Sequence, residues 1–136
     1  MTSLRRCATS FLAVLVVAGS VLAAAASDTA FPFGSELVLD AAPQPGSKRV
    51  PTIEIDQDGA VAFNLWCARA SGSATVTDDA ITITPTKALP SQCPPDQISQ
   101  DAALLAALSQ VTNWRRNGDL IDFLGATNLR FRLMTN

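Results

Sequence analysis

The sequence predicts a single antiparallel, β-rich domain of the α+β class, built from seven or eight short strands and one α-helix. Short alternations of apolar and polar residues recur over residues 36–134, and turn-forming dipeptides separate them. One stretch, residues 96–110, instead has apolar residues at helical spacing. Many short strands separated by regular turns are typical of sandwiches and barrels. We therefore expect a barrel-like or strongly curved sheet.

The clearest strand pair is predicted within residues 50–67. Apolar and polar side chains alternate on both sides of Asp58-Gly59, a dipeptide that favours a tight hairpin turn. The apolar positions of this alternation are Ile53, Ile55, Val61, Phe63 and Leu65. A period of two around such a turn predicts two antiparallel strands that bury one face.

Further short strands are predicted on both sides of this hairpin. They cover residues 36–40, 73–77, 80–84, 111–116, 120–124 and 129–134. Asn117-Gly118 is expected to form the two-residue type I′ turn between two of them. The proline-containing stretches 41–48 and 85–95 are predicted to be loops.

One helix is predicted over residues 96–110. A stripe of apolar residues at helical spacing is expected to pack against the sheet. It consists of Ile98, Ala102, Leu105 and Leu108, and Leu104 widens it. Asp96 follows two prolines and is predicted to cap the first turn. The glutamines at positions 97, 100 and 110 are expected to face solvent.

The first 26 residues have the order of a secretory signal peptide. Arg5 and Arg6 precede an apolar run, and alanines at positions 23–26 provide a small-residue cleavage site. An uncleaved membrane anchor would need roughly 20 apolar residues, more than this run offers. We expect cleavage after Ala26, a lead-in over residues 27–34 and a folded domain over 35–136. The mature chain would then lie in the periplasm or outside the cell, not inserted in a membrane.

Composition and charge argue against several classes of function. The formal net charge is −2, and loss of Arg5 and Arg6 would leave 8 basic and 12 acidic residues. A mildly acidic domain without a basic cluster is not expected to bind nucleic acid. Histidine is absent, so a serine or cysteine nucleophile would lack its commonest activating base. We predict a protein that is not an enzyme and needs no cofactor.

The acidic turn at residues 56–59 resembles the start of a calcium loop. A complete loop needs further oxygen ligands downstream, but Val61, Phe63 and Leu65 occupy that region. A hairpin turn accounts for these residues better, and no metal site is predicted.

Cys67 and Cys93 are the two cysteines that an exported chain would retain. An even pair in an exported protein is most often a disulfide. Closing this loop would stabilise the fold by roughly 3 kcal/mol if the bond is unstrained. The alternative is a reactive thiol at Cys67.

The order of these motifs resembles the META domain (HslJ-like) family. The matching residues are Pro51-Thr52, Asp58-Gly59, Cys67, Thr86, Cys93, residues 105–111 and Gly118-Asp119-Leu120. The chain departs from the family pattern at Trp66-Cys67-Ala68, where the family has G-C-N. It also places Thr86 seven positions before Cys93, where the family has about four, and it has the mild change Gln100-Asp101 where the family has Q-E. The resemblance implies a β-rich fold, an exported or lipid-anchored protein linked to envelope stress, and no established catalytic residues.

We therefore expect a non-enzymatic binding or structural module of the bacterial envelope. The alternative is a protease-inhibitor-like or small-ligand-binding β-barrel. The partner would be an unknown envelope protein or a small apolar ligand, and the protein itself a monomer. A large exposed apolar patch would favour a protein partner, whereas an apolar cavity with few polar groups would favour a small ligand.

Four residues are candidates for partner binding. Arg130 and Arg132 share the outer face of the last predicted strand and suit an acidic partner, or they simply protect an edge strand from aggregation. Trp66 and Trp114 either cover the sheet or anchor a partner, since tryptophan is enriched at binding hot spots.

Overall fold

The strands close into an antiparallel barrel in which each strand pairs with the next along the chain. The computed structural model describes residues 29–89 and 92–135, so the predicted signal peptide lies outside the described residues. Within them the strands are β1 (Leu37–Leu39), β2 (Thr52–Ile55), β3 (Ala60–Asn64), β4 (Arg69–Thr77), β5 (Ala80–Pro85), β6 (Val111–Asn117), β7 (Leu120–Gly125) and β8 (Leu129–Leu133), and the helix is α1 (Pro95–Ser109). The predicted β-rich α+β fold is confirmed.

The register of the strands explains the alternation seen in the sequence. Ile53 lies opposite Phe63 in the predicted central hairpin, and β8 closes the barrel by placing Leu133 opposite Leu37 of β1. Alternate side chains of each strand therefore point into the barrel. The largest of these are nearly inaccessible to solvent: Phe63, Phe123, Phe131, Leu37, Ile53, Ile55, Ile81, Ile83 and Ile121.

Two different segments cover the two ends of the barrel. Because the strands alternate in direction, the turns after β2, β4 and β6 lie at one end, and the connections after β1, β3, β5 and β7 lie at the other. At the turn end, Phe31 of the lead-in packs edge-on against Trp114, with ring centroids 4.9 Å apart. Residues 29–34 of the lead-in contain no helix or strand, and Phe31 is part of the core. Helix α1 belongs to the β5–β6 connection and covers the opposite end.

The start of α1 differs from the prediction. The helix begins at Pro95 with Pro94 in the cap position, and no side chain makes a capping hydrogen bond. The prediction that Asp96 caps the helix is therefore wrong, because Asp96 lies inside the first turn. Proline suits the first helical position, where a backbone N–H would have no intrahelical partner. Within the described residues, no helix has the length and hydropathy needed to cross a bilayer.

The buried face of α1 also differs from the prediction. Gln97, Asp101, Leu104 and Leu108 are the buried residues of the helix, whereas Ile98 is 52% exposed and Ala102 is exposed. The solvent-facing assignment of Gln97 is therefore wrong, and so is the core assignment of Ile98 and Ala102. The helix is rotated about its axis relative to the apolar stripe because its core-facing side includes a carboxylate that contacts a neighbouring loop.

The two hairpin turns predicted from dipeptides have different outcomes. Gly59 adopts φ +86°, which glycine tolerates, and its N–H donates to the carbonyl oxygen of Asp56 at 3.0 Å, so Gly59 ends the tight turn of the predicted central hairpin. In the later hairpin, Asn117 pairs directly with Leu120, so the two central turn residues are Gly118 and Asp119. Gly118 has φ +61°, and glycine at the first central position is typical of a type II′ turn. The predicted type I′ turn at Asn117-Gly118 is wrong by one residue.

Candidate functional site

A buried carboxylate on α1 holds the connection between β3 and β4. Asp101 is 2% exposed, and its oxygens accept hydrogen bonds from the backbone N–H groups of Trp66 at 2.8 Å, Cys67 at 3.3 Å and Ala68 at 2.8 Å. Residues 65–68 are called the Cys67 loop below. Without Asp101 these three N–H groups would lack a hydrogen-bond acceptor in the interior. Because all three bind the same carboxylate, the hydrogen-bonding needs of the loop N–H groups and of the carboxylate are met together.

The carbonyl groups of the Cys67 loop are bound from the other side. Ser47 Oγ donates to the carbonyl oxygen of Trp66 at 2.9 Å. The Arg49 guanidinium donates to the carbonyl oxygens of Trp66, Cys67 and Ala68. The loop therefore lies between a carboxylate on its N–H side and a guanidinium on its carbonyl side. Both charges are oriented to stabilise the peptide dipoles.

A disulfide adds a covalent link to the same loop. Cys67 is bonded to Cys93, with an S–S distance of 2.04 Å, so the predicted pairing is confirmed. Cys93 lies just before α1. The bond therefore joins the Cys67 loop to the segment that leads into the helix whose Asp101 binds that loop.

An apolar cleft lies beside this linkage, outside the barrel. It has a volume of about 530 Å³, and we call it the helix cleft. One side is the exposed face of α1, and the other is the segment that follows β5. The lining residues are Ala68, Pro85, Thr86, Lys87, Ala88, Leu89, Ile98, Asp101, Ala102, Leu105, Ala106 and Ser109. Ile98 and Ala102, which belong to the predicted helical stripe but are not in the core, therefore line this cleft.

The polar groups around the helix cleft are mostly engaged within the protein. Thr86 Oγ1 donates to the carbonyl oxygen of Ser71 at 2.7 Å. Ser109 Oγ donates to the carbonyl oxygen of Ala106 at 2.7 Å. Asp101 borders the cleft but directs its carboxylate to the Cys67 loop. The surface offered to a bound molecule is therefore largely hydrocarbon.

The two candidate tryptophans are both buried. Trp66 and Trp114 are each 6% exposed. Trp66 belongs to the Cys67 loop at the helix end of the barrel, and Trp114 packs against Phe31 at the opposite end. Their positions match the reading in which each covers the sheet, and they are not brought together. Partner binding by either residue remains a prediction.

The two candidate arginines lie on the outer face of the barrel and form ion pairs. Arg130 Nε is 2.7 Å from Asp122, which also receives Arg115 Nε at 3.2 Å. Arg132 is 3.3 Å from Asp40. The hydrogen bond from Arg130 lowers the pKa of Asp122 most, burial opposes it, and Arg115 lowers it further. Binding of an acidic partner by Arg130 and Arg132 would have to compete with these carboxylates, and it remains a prediction.

Sequence reasoning missed Arg49, Ser47 and the role of Asp101. One signal was present: Gln97, Asp101, Leu104 and Leu108 are spaced four, three and four residues apart, which places them on one helical face. An acid on a core-facing stripe requires internal donors. The helix cleft had no comparable signal because its two walls come from segments separated along the chain.

Comparison with known proteins supports the fold. A DUF4847 family protein from Bacteroides vulgatus ATCC 8482 has a similar crystal structure, with a TM-score of 0.50 and 17% sequence identity. The match covers 60% of this chain and 57% of that protein, less than two thirds of its length. A protein known from an NMR structure matches with a TM-score of 0.57 and 16% identity, over 73% of this chain and 88% of its own. At these identities the likeness concerns the fold alone.

Sequence comparison identifies the family. Curated proteins give no significant match. The sequence model of the META domain, however, matches residues 34–135. This range includes every strand, the helix, the Cys67–Cys93 disulfide and the helix cleft. The resemblance seen in the motifs is confirmed: the chain belongs to the META domain family.

Proposed function

We propose that this META-domain protein is an exported, non-enzymatic binding protein whose helix cleft takes up a small apolar ligand. The observation that carries the proposal is the cleft itself, a concave apolar surface of about 530 Å³ between α1 and the segment after β5. Sites for small molecules are typically concave, mostly apolar and about 300–1,000 Å³ in volume. Of the two partners expected from the sequence, the small apolar ligand fits this shape better than a protein surface does.

Two large apolar side chains at the cleft support the proposal. Leu89 is 63% exposed and Ile98 is 52% exposed, and both line the cleft. A ligand that covers them would gain hydrophobic stabilisation of about 25 cal/mol for each Å² of apolar area removed from water. The free protein leaves this gain unused.

The interior of the barrel is a poor alternative site. Phe63, Phe123 and Phe131 are at most 2% exposed, and their rings fill the space that a ligand in the barrel mouth would need. The proposed site is therefore on the outside of the barrel, at its helix end.

The chemistry of the cleft supports binding without catalysis. Its two hydroxyl groups, on Thr86 and Ser109, donate to backbone carbonyls, and its carboxylate, on Asp101, accepts three backbone hydrogen bonds. The sequence also contains no histidine. A nucleophile in this cleft would therefore lack histidine, the commonest activating base.

The proposed location outside the cytoplasm is supported by two features. Disulfides such as Cys67–Cys93 persist in oxidising compartments, and the first 26 residues have the composition of a secretory signal. The link to envelope stress expected from the family resemblance remains a prediction.

Titration with a neutral apolar dye tests the proposal. N-phenylnaphthylamine fluoresces more strongly in an apolar site, and we expect saturable binding with one dye per protein. Ala102 lies on the wall of the cleft, so Ala102→Trp should fill it and weaken binding by about tenfold or more. Ala103→Trp is the matched control, because Ala103 is an exposed neighbour on the same helix that does not line the cleft.

Two results would contradict the proposal. The first is the absence of saturable dye binding by the folded wild-type protein. The second is equal dye affinity in Ala102→Trp and Ala103→Trp, which would place the bound dye elsewhere on the molecule. Circular dichroism of both variants establishes that each is folded.

A further inference from the structure

We infer that the ligand of the helix cleft is an amphiphile with one anionic head group, and that the Lys87 ammonium binds this head group at the rim. The inference rests on the proposed function, because it specifies the ligand of the same site. It follows from the distribution of charge and of uncommitted hydrogen-bond donors around the cleft.

Among the residues that the structure describes, Lys87 is the one basic residue that lines the cleft. The ion pairs in the described part of the chain are Arg115–Asp122, Arg130–Asp122 and Arg132–Asp40, and none of them involves Lys87. Its side chain is exposed, so the ammonium can move on its flexible stem to a head group at the rim.

The other polar side chains that line the cleft in the described part of the chain are already engaged. The hydroxyl hydrogens of Thr86 and Ser109 are donated to backbone carbonyls 2.7 Å away. The Asp101 carboxylate is buried and directed to three N–H groups of the Cys67 loop. Lys87 is therefore the cleft side chain with donors left for a ligand, and the charge presented at the rim is positive.

These features define a chemical class of ligand. The apolar lining selects a hydrocarbon or aromatic body, and the single cation at its rim selects a carboxylate, sulfonate or phosphate attached to that body. A cationic amphiphile would be repelled by Lys87, and a neutral one would gain only the apolar contact. The ligand class is thus that of organic acids with an extended apolar part.

Two dyes with the same aromatic skeleton provide the test. Anilinonaphthalene sulfonate is N-phenylnaphthylamine with an added sulfonate, so the two share an apolar body and differ in one anionic group. We expect the sulfonate to bind about fivefold more tightly than the neutral dye, which is the effect of one partly exposed ion pair. Decanoate should displace either dye at a lower concentration than decyltrimethylammonium does.

Lysine variants locate the anionic contact. Lys87→Gln should reduce the affinity for anilinonaphthalene sulfonate by about fivefold and leave that for N-phenylnaphthylamine unchanged. Lys48→Gln is the matched control, because Lys48 is the other lysine of the chain, is exposed, and does not line the cleft. Raising the ionic strength to about 1 M, where the Debye length is about 3 Å, should weaken the sulfonate and not the neutral dye.

The outcomes separate this inference from the proposed function. If N-phenylnaphthylamine binds at the cleft but the sulfonate binds no more tightly, or if Lys87→Gln leaves the sulfonate affinity unchanged, the anionic head group is excluded and the apolar site stands. If the neutral dye fails to bind, the proposed function falls, and the ligand class inferred from it falls with it.

Discussion

At the residue scale, the most consequential side chain is the buried carboxylate of Asp101. It collects three backbone N–H groups of the Cys67 loop, while Arg49 and Ser47 bind the carbonyl groups of the same loop. The hydrogen bonds of these three side chains therefore hold the backbone of the Cys67 loop in place. They fix the Cys67 loop against α1, and both the loop and the helix contribute residues to the helix cleft.

Replacing Asp101 by asparagine should destabilise the fold by about 2–4 kcal/mol. The amide would keep one acceptor oxygen but turn its donor NH₂ group towards backbone donors, leaving buried N–H groups unsatisfied. Urea denaturation measures the loss. Asp96→Asn on the same helix is the control, because Asp96 is exposed and makes no capping bond, and it should change stability by less than about 0.5 kcal/mol. Equal stability of the two variants would remove the structural role given to Asp101.

The pH dependence of stability should carry a contribution from Asp122. Its folded-state pKa lies below the ordinary value of 3.8, chiefly through the hydrogen bond from Arg130. A lowered folded-state pKa means that the unfolded chain binds more protons in this range. The stabilisation is therefore complete above about pH 4 and is lost as pH falls through the folded-state pKa.

Comparison of the wild type with Asp122→Asn isolates this contribution. The difference in free energy of unfolding between the two proteins should be largest near neutral pH and should shrink as the pH falls below about 4. It should be small throughout, because Arg115 and Arg130 are exposed and solvent screens both pairs. A difference that grows on acidification would contradict the assignment.

At the scale of elements, strands were easier to predict than the orientation of the helix. The period of two in a strand such as β2 or β3 is local and is fixed by the side chains themselves. The buried face of α1 depends instead on a loop far away in sequence, because Asp101 has to reach the backbone of the Cys67 loop. The most apolar stripe of the helix therefore includes Ile98 and Ala102, which line the cleft and are not part of the core.

Two leucines on α1 should report this orientation. Leu108 is 1% exposed in the core, so Leu108→Ala should cost about 2–4 kcal/mol of stability. Leu105 is half-buried at the cleft, and Leu105→Ala should cost about 1 kcal/mol while weakening the binding of N-phenylnaphthylamine. Chemical denaturation and dye titration measure the two effects. A larger loss of stability in Leu105→Ala than in Leu108→Ala would contradict this orientation, because it would place the predicted apolar stripe in the core.

At the scale of the whole molecule, the barrel is closed by strands around its wall and by other segments at its ends. The β5–β6 pairing involves a single residue pair, Ala80 with Asn113, and the chain between these strands contains α1. The helix cleft lies where α1 meets the end of β5. The barrel could be predicted from short-range patterns, but the cleft could not, because it exists only once these elements are assembled.

Binding of a small apolar molecule in the helix cleft can be located by mapping chemical-shift changes in a ¹H–¹⁵N spectrum during titration with N-phenylnaphthylamine. We expect changes concentrated in residues 85–89, at Ala68 and along the exposed face of α1, which together form the walls of the cleft. Resonances of Arg130 and Arg132, on the outer face of the barrel, should not shift. Changes centred on that outer face or on Trp114, or the absence of any saturable change, would contradict binding at the helix cleft.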